Sequence, residues 1–478
     1  MLLDRILSSV ERNPAAIAVA SPGQPITYRQ LRALIGRTVI HLRANGIEAG
    51  DVVALSLGQT PLYIIVFLAL GWIGALSVPI PVALRRPDRD ELLRKHGIRA
   101  VITERLEVLP PGCRLVQLTG AGARGDETMD DAGPPAYRPD TPLRLALTTG
   151  TTGLPKGVLQ THAGFEERMD RMHCDVVDEP RVLAPALHIT ISINLALHAL
   201  CKGGSVVFPR SFGNVDFFDA IVRHGVTHVT LPPANINLML PALPAQGPAF
   251  PGVKHLRLVG STPTRAVLYE AQRRFSPHVY VPYGLGEVGL VSMATPDMVR
   301  DDPASVGVLE PGVRLELDGD GEVRVRIPGM PTDYFGADSG LNTRFRDGWF
   351  HPGDRARMSA EGKLYIEGRV DHIINTGGRK VAPEYVESIL MEFAGVRDAA
   401  VYAVEDGAGN TLLGASIVGK VALDALKAFA RQRLHVMAPS VYREVESLPR
   451  NAMGKLDRSA VPVTPAEAGV AESPPRTA

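Results

Sequence analysis

The chain has 478 residues, 51 basic and 51 acidic side chains, and 45% apolar residues. That length exceeds one hydrophobic core and predicts two or three domains. The balanced charge gives no footing for nucleic acid or an anionic membrane.

From the N-terminus, Leu31, Leu34, Ile35, Val39, Ile40 and Leu42 recur at helical spacing and predict a helix over Arg29–Asn45, closed by Gly46. Leu62 to Ile80 is almost wholly apolar and approaches membrane-spanning length. Gly71, Gly74 and Pro79 interrupt it, so a buried helix followed by a strand is the better expectation, with no membrane span. Strands are predicted at Val52–Ser56, Ala100–Thr103, Ser205–Phe208, Val226–Leu231 and His255–Val259, alternating with helices. This pattern reads as an α/β body of mostly parallel sheets with crossover helices. From Gly307 to Ile366 the elements shorten into strands and turns, which predicts a β-rich subdomain. A break follows at Arg369–Asp371. A small α+β unit comes after it: helix Pro383–Phe393, strands Asp398–Val404 and Thr411–Val418, and helix Leu423–Leu434. The expected domains are therefore 1–369, 370–464 and a Pro- and Ala-rich disordered tail over 465–478. Cys113, Cys174 and Cys201 are scattered and without metal spacing. Together with the lack of a signal-peptide pattern, they predict a reduced, cytoplasmic protein.

Five stretches carry chemistry. Leu147 to Val158 reads Leu-Thr-Thr-Gly-Thr-Thr-Gly-Leu-Pro-Lys-Gly-Val, with four threonines and three glycines. Glycine lets backbone N–H groups turn inward, and hydroxyls add donors, so Thr148, Thr149, Gly150, Thr151, Thr152 and Gly153 could wrap a polyanion, with Lys156 as a point charge. Composition alone also allows a solvated surface loop. Pro155 and Gly157 around the lysine exclude the usual nucleotide P-loop. The other stretches are Tyr283-Gly284-Leu285-Gly286-Glu287, with a turn expected at Tyr283-Gly284 after the apolar strand His278–Val281; Gly353-Asp354; Gly368-Arg369-Val370-Asp371 running on to Gly377-Gly378-Arg379; and Pro449-Arg450 with Met453-Gly454-Lys455.

In this order and at these distances the set resembles the adenylate-forming superfamily of acyl-CoA synthetases, peptide-synthetase adenylation domains and luciferases. The resemblance runs from Ile26-Thr27-Tyr28 to Lys455. It implies that a carboxylate attacks the α-phosphate of ATP, expelling pyrophosphate, and that the acyl group then passes to the thiol of CoA or of a carrier protein's phosphopantetheine. By the same resemblance, the Thr148–Lys156 loop cradles the triphosphate and Tyr283, with Gly284, lies against adenine. Glu287 holds Mg²⁺ and Asp354 the ribose hydroxyls. Arg369 and Asp371 form the hinge of a mobile C-terminal domain, Gly377 and Gly378 line a pantetheine tunnel, and Lys455 is the catalytic lysine. His188 matches the position that gates or stacks beside the carboxylate. Read without the resemblance, Glu287 could be a surface glutamate, Asp354 a turn residue, His188 a histidine satisfied within the fold and Lys455 a solvated lysine.

Two departures stand out. Gly286 occupies the place where the family usually has Thr or Ser, and Pro352 replaces the common threonine. A threonine restored at position 286 is therefore predicted to leave activity unchanged or raise it. Amino-acid-activating relatives carry an aspartate directly after the His188 position. Ile189 stands here, so a buried α-ammonium would lack its carboxylate. The expected substrate is a small aliphatic or aromatic carboxylic acid. The alternatives are catalytically impaired nucleotide binding, a stand-alone adenylation enzyme serving only a carrier protein, and an oxidative, luciferase-like use of the adenylate, for which the sequence offers nothing specific.

Overall fold

The computed structural model describes residues 1–105, 108–118, 129, 131–148, 155–172, 177–183, 186–336, 344–376, 379–406, 410–450 and 456–461. Two large sheets dominate the N-terminal body among these residues. One has nine strands in the order Val308–Leu309, Gly289–Ala294, Val279–Leu285, His255–Leu258, His228–Leu231, Arg181–Leu183, Ser205–Val207, Ile17–Ala20 and Ile26–Thr27. The other has six: Arg114–Gln117, Ala100–Thr103, Val52–Ser56, Leu76–Pro79, Pro142–Thr148 and Lys156–Thr161. Their central pairings are parallel, and both end in antiparallel hairpins. The predicted strands at 52–56 and 100–103 match without a shift.

A single core joins the sheets. Val19 and Val206 from the nine-stranded sheet, and Val53 and Ile102 from the six-stranded one, share it with Tyr28, Ile35, Phe67 and Leu195 from the intervening helices. Alternate residues face away: Val207 and Leu183 enter a second cluster, Ala54 and Val101 a third. This period-two split is why these strands are apolar throughout, with helices on both faces of each sheet. The helix Pro61–Ile73 is buried on every side from Tyr63 onward, which explains its lack of a polar face. Among the described residues no helix is long and apolar enough to cross a membrane. The helix Tyr28–Ala44 opens on a capping box in which Thr27 and Gln30 satisfy each other's backbone N–H, a device worth about 1 kcal/mol.

The β-rich stretch forms a four-stranded antiparallel sheet (Arg314–Leu317, Val323–Arg326, Trp349–Phe350, Phe345–Arg346) and the hairpin Asp354–Met358/Leu364–Arg369. Val325, Phe350, Ala356 and Leu364 pack into the core that also holds Val281 and Leu256. It is thus built onto the nine-stranded sheet. The C-terminal unit contains the predicted helices as Pro383–Leu390 and Leu423–Leu434, and the predicted strands as Val396–Glu405 and Thr411–Gly419, joined in parallel by Val441–Val445. It has its own core of Val381, Val386, Leu390, Val401, Leu426 and Leu434. Arg458 ties its edge to Glu387 at 2.7 Å and Glu384 at 3.1 Å. Cys113 and Cys201 are free thiols. Cys174, the 465–478 tail, Thr149–Gly153, Gly377, Gly378 and Lys455 lie outside the described residues.

Candidate active site

The Thr/Gly-rich segment is carried by a hairpin. The strands Pro142–Thr148 and Lys156–Thr161 are antiparallel, and Thr148 and Lys156 face each other in register at its mouth. Thr148 is buried, and its Oγ1 donates to the Lys156 carbonyl at 3.3 Å. The loop between these residues therefore leaves from a clamped base.

The Tyr283 stretch meets that base. Sequence placed a turn at Tyr283-Gly284, but the strand Val279–Leu285 continues through both residues, with a bulge between them. The turn is Gly286–Val288, and it puts Glu287 at the tip of the hairpin with Gly289–Ala294. Gly286 lies directly against the loop base: a Cβ there would stand 3.1 Å from Thr148 Cγ2. Arg168, buried on the helix His162–Asp170, donates to the carbonyls of Gly286, at 3.3 Å, and of Glu287. Burial lowers its guanidinium to about 10, although the Glu287 charge opposes the shift. The half-buried Glu287 carboxylate accepts from the Tyr334 hydroxyl at 3.3 Å, and the Lys156 ammonium sits 5.1 Å from the centre of the Tyr334 ring. Tyr334 thus links the lysine of one motif to the glutamate of another.

A second group adjoins the first. The Tyr283 hydroxyl donates to Asp354 Oδ2 at 2.6 Å, and Arg369 reaches Asp354 Oδ1 at 3.3 Å. Arg369 also clasps Asp371 through two bonds of 2.8 Å. Burial first, and the Asp354 carboxylate second, push the Tyr283 phenol well above its ordinary range. Its proton therefore stays on the oxygen and is donated. Asp354 is itself only 7% exposed. The turn before it requires Gly353, whose φ of +76° would strain any side chain. Asp354 and Arg369 pair across the hairpin that opens at the former and closes at the latter.

His188 lies just before the helix Thr190–Cys201. Its Nδ1 is 3.3 Å from Gln59 Nε2, and its carbonyl accepts from Arg144 at 2.6 Å. Burial and then the Arg144 charge lower the imidazole to about 4, so it is neutral at physiological pH. The electrostatic neighbours connect the parts: His188 feels Arg144, Arg168 feels both Arg144 and Glu287, and Tyr283 feels Glu287, Asp354 and Arg369. Five of the residues singled out from sequence (His188, Tyr283, Glu287, Asp354, Arg369) therefore belong to one charged neighbourhood, with Thr148 and Lys156 at its edge.

Four participants escaped the sequence reading: Arg144, Arg168, Tyr334 and Gln59. For Arg144 a signal existed. An arginine inside the apolar run Leu143 to Leu147 either breaks the strand or has a reason to be buried. Tyr334 and Gln59 had no comparable mark.

The acceptor set fits the partners that the fold implies. Magnesium in phosphate sites uses one or two carboxylates, with phosphate oxygens and water completing the shell. Among the described residues no cluster of three or more His, Cys, Asp or Glu forms a separate cage, and the single half-buried Glu287 carboxylate suits a cation that arrives with a nucleotide. Asp354, which accepts from Tyr283 and Arg369, is an acceptor-only group when ionised.

Comparison with known proteins agrees. The family model described as AMP-binding enzyme matches residues 7–333, and that for the AMP-binding enzyme C-terminal domain matches 385–455. A fatty acid–[acyl-carrier-protein] ligase of Streptomyces coeruleorubidus is 26% identical, over 94% of this chain and 93% of its own. A 2-succinylbenzoate–CoA ligase of Bacillus velezensis is 28% identical, over 95% of this chain and 96% of its own. Among solved structures, the o-succinylbenzoate CoA synthetase of Bacillus subtilis with its acyl-adenylate intermediate superimposes with a TM-score of 0.85 at 23% identity. That match covers 95% of this chain and 97% of the other, and it speaks to the fold. On the family models, which span most of its length, the chain belongs to the AMP-binding enzyme family.

Proposed function

We propose that this protein is an acid–thiol ligase. It activates a small carboxylic acid with ATP, forming an acyl-adenylate and pyrophosphate, and transfers the acyl group to the thiol of CoA or of an acyl carrier protein. The observation that carries the reading is the convergence just described. The base of the Thr/Gly loop touches Gly286, Glu287 is linked to Lys156 through Tyr334, and Tyr283 is bonded to Asp354. This order supports reading them as the base of a polyphosphate cradle, a cation-binding carboxylate and a ribose acceptor, in the sequence a nucleotide would need.

In this reading the Thr148–Lys156 loop wraps the triphosphate with N–H groups and hydroxyls. Tyr283 has its hydroxyl committed to Asp354, which leaves the ring face for adenine, and Asp354 accepts from the ribose. Glu287 would hold magnesium, which when bound neutralises phosphate charge. His188, neutral and held by Gln59 and Arg144, offers an uncharged edge beside the acid. An α-amino acid is disfavoured because Ile189, not a carboxylate, follows His188. Lys455 supplies the positive charge to the α-phosphate and the acid in the first half-reaction. Removing such a charge typically lowers the rate by about 10²–10³.

The separate core of the C-terminal unit supports a boundary near Arg369, with 1–369 as the ATP- and acid-binding domain and 370–464 as a mobile domain. Arg369 and Asp371 are the hinge, where the chain leaves the hairpin of the N-terminal body for the C-terminal unit. Rotation about it would exchange Lys455 for Gly377 and Gly378, whose lack of side chains would admit the pantetheine arm. The free thiols and the nucleotide and thiol substrates favour a cytoplasmic setting.

Acid-dependent ATP–pyrophosphate exchange across fatty, aryl and amino acids tests the reading. Exchange with fatty or aryl acids, followed by thioester formation with CoA or a loaded carrier protein, is the expected result. Binding of ATP without exchange for any acid would instead identify a catalytically silent relative.

A further inference from the structure

Among the described residues, two arginines of the site, Arg144 and Arg168, are buried without a salt bridge to a carboxylate. Arg144 is 1% exposed, and its head donates to Thr190 Oγ1 at 2.8 Å and to the His188 carbonyl at 2.6 Å, beside the Tyr63 hydroxyl. Arg168 donates to backbone carbonyls. Among the described residues these partners are neutral oxygens. Arg458, by contrast, is ion-paired twice over.

Burying a guanidinium without a counter-charge is unfavourable, and apolar residues of similar volume often replace even paired charges without loss of stability. The two heads also repel each other. A further penalty comes from placing Arg144 at the first turn of the helix Thr190–Cys201, where the helix dipole is positive. Fold stability therefore does not account for Arg144. Its position does: it holds both ends of the 188–190 segment, and it concentrates positive potential where the proposed acid would lie.

We propose that Arg144 is a positioning and specificity residue. It fastens the His188 segment, and its uncompensated charge draws the acid into the site as the carboxylate anion. The inference rests on the acid-activating reading above. It adds that the apo site holds excess positive charge which the bound acid neutralises.

The test uses the full chain with Arg144→Met and Arg144→Lys, each measured by acid-dependent ATP–pyrophosphate exchange and by thermal unfolding. For Arg144→Met the KM for the acid should rise about tenfold or more, as expected for losing one charge at close range in a poorly solvated site. The KM for ATP should stay within about twofold, and the melting temperature should not fall. Arg144→Lys keeps the charge and should stay within about threefold of wild type in acid KM. A variant pair that melts lower while the acid KM stays put would overturn the inference and leave Arg144 a core residue. A wild-type chain that exchanges with no acid would sink the acid-activating reading itself, and this inference with it.

Discussion

At one end of the site Asp354 takes a hydrogen bond from Tyr283 and an ion pair from Arg369, which in turn clasps Asp371. At the other end Arg144 is more deeply buried, yet among the described residues it meets a carbonyl, a hydroxyl and a phenol and no carboxylate. The first end is charge-balanced before any ligand arrives. Its carboxylate is held from two sides, by the Tyr283 hydroxyl and the Arg369 guanidinium. The second is left electropositive, which suits an anionic ligand and taxes the empty protein. A ribose is neutral and an acid is not, so each end matches the charge of the group proposed for it.

The largest effect should come from the lysine proposed to touch both the α-phosphate and the acid. Lys455→Ala is expected to lower adenylate formation by about 10²–10³ or more, while thioester formation from a supplied acyl-adenylate continues. Single-turnover assays of the two half-reactions check this, and equal losses in both would contradict a rotating domain.

Asp354→Ala breaks the balanced end. Arg369 keeps Asp371, but the buried Tyr283 hydroxyl loses its acceptor. Stability should drop by about 1–3 kcal/mol in denaturant titration, and the KM for ATP should rise while that for the acid hardly moves. A rise confined to the acid would mean that the two ends have been assigned the wrong way round.

Gly286→Thr probes the seam between the loop base and the glutamate turn, and here the close contact with Thr148 argues for the opposite outcome to the expectation from sequence. A Cβ at 286 would come within 3.1 Å of Thr148 Cγ2, and Thr148 is held in place by its bond to the Lys156 carbonyl. The added threonine should displace Thr148 and slow exchange by about tenfold, in line with an overpacking penalty of roughly 1–3 kcal/mol. The double variant Gly286→Thr with Thr148→Ser makes room and should recover most of that rate. An active single variant would show that the loop base yields freely.

The smallest effect is a control away from both ends. His162 is buried, stacked on Tyr137 at 4.9 Å, and lowered by burial from 6.5 to about 4. The unfolded chain binds its proton first, so stability falls as pH drops from 6.5 toward 4. His162→Phe should remove about 2 kcal/mol of the loss between pH 6.5 and 5, read from melting curves, without changing either KM.

Much of the fold was legible because it is locally encoded. The strand at 52–56 and the helices near 28–44 and 423–434 follow from apolar spacing and caps alone. The β-rich stretch was also legible as strands and turns. That it shares a core with the nine-stranded sheet was not, because Phe350 and Leu256 are far apart in the chain and meet only by packing. The turn beside Glu287 was displaced for a similar reason. Glycine at 284 reads as a turn, yet ladder pairing with Leu290 holds it in the strand.

Order and type of motif were properties of the sequence itself: a Thr/Gly-rich loop with the donors to wrap an anion, a glutamate after glycines, an aspartate after Gly353. These depend on the chemistry of a few neighbouring residues, so a linear reading reaches them. Tertiary structure alone decided that Tyr334 bridges Lys156 to Glu287, that Thr148 fills the space beside Gly286, and that Arg144 is buried against His188 with no carboxylate partner among the described residues. Each of those facts joins segments brought together by burial of the sheets between them. Whether a charge is balanced depends on every side chain within a few ångströms, and adjacency in the chain does not supply that list.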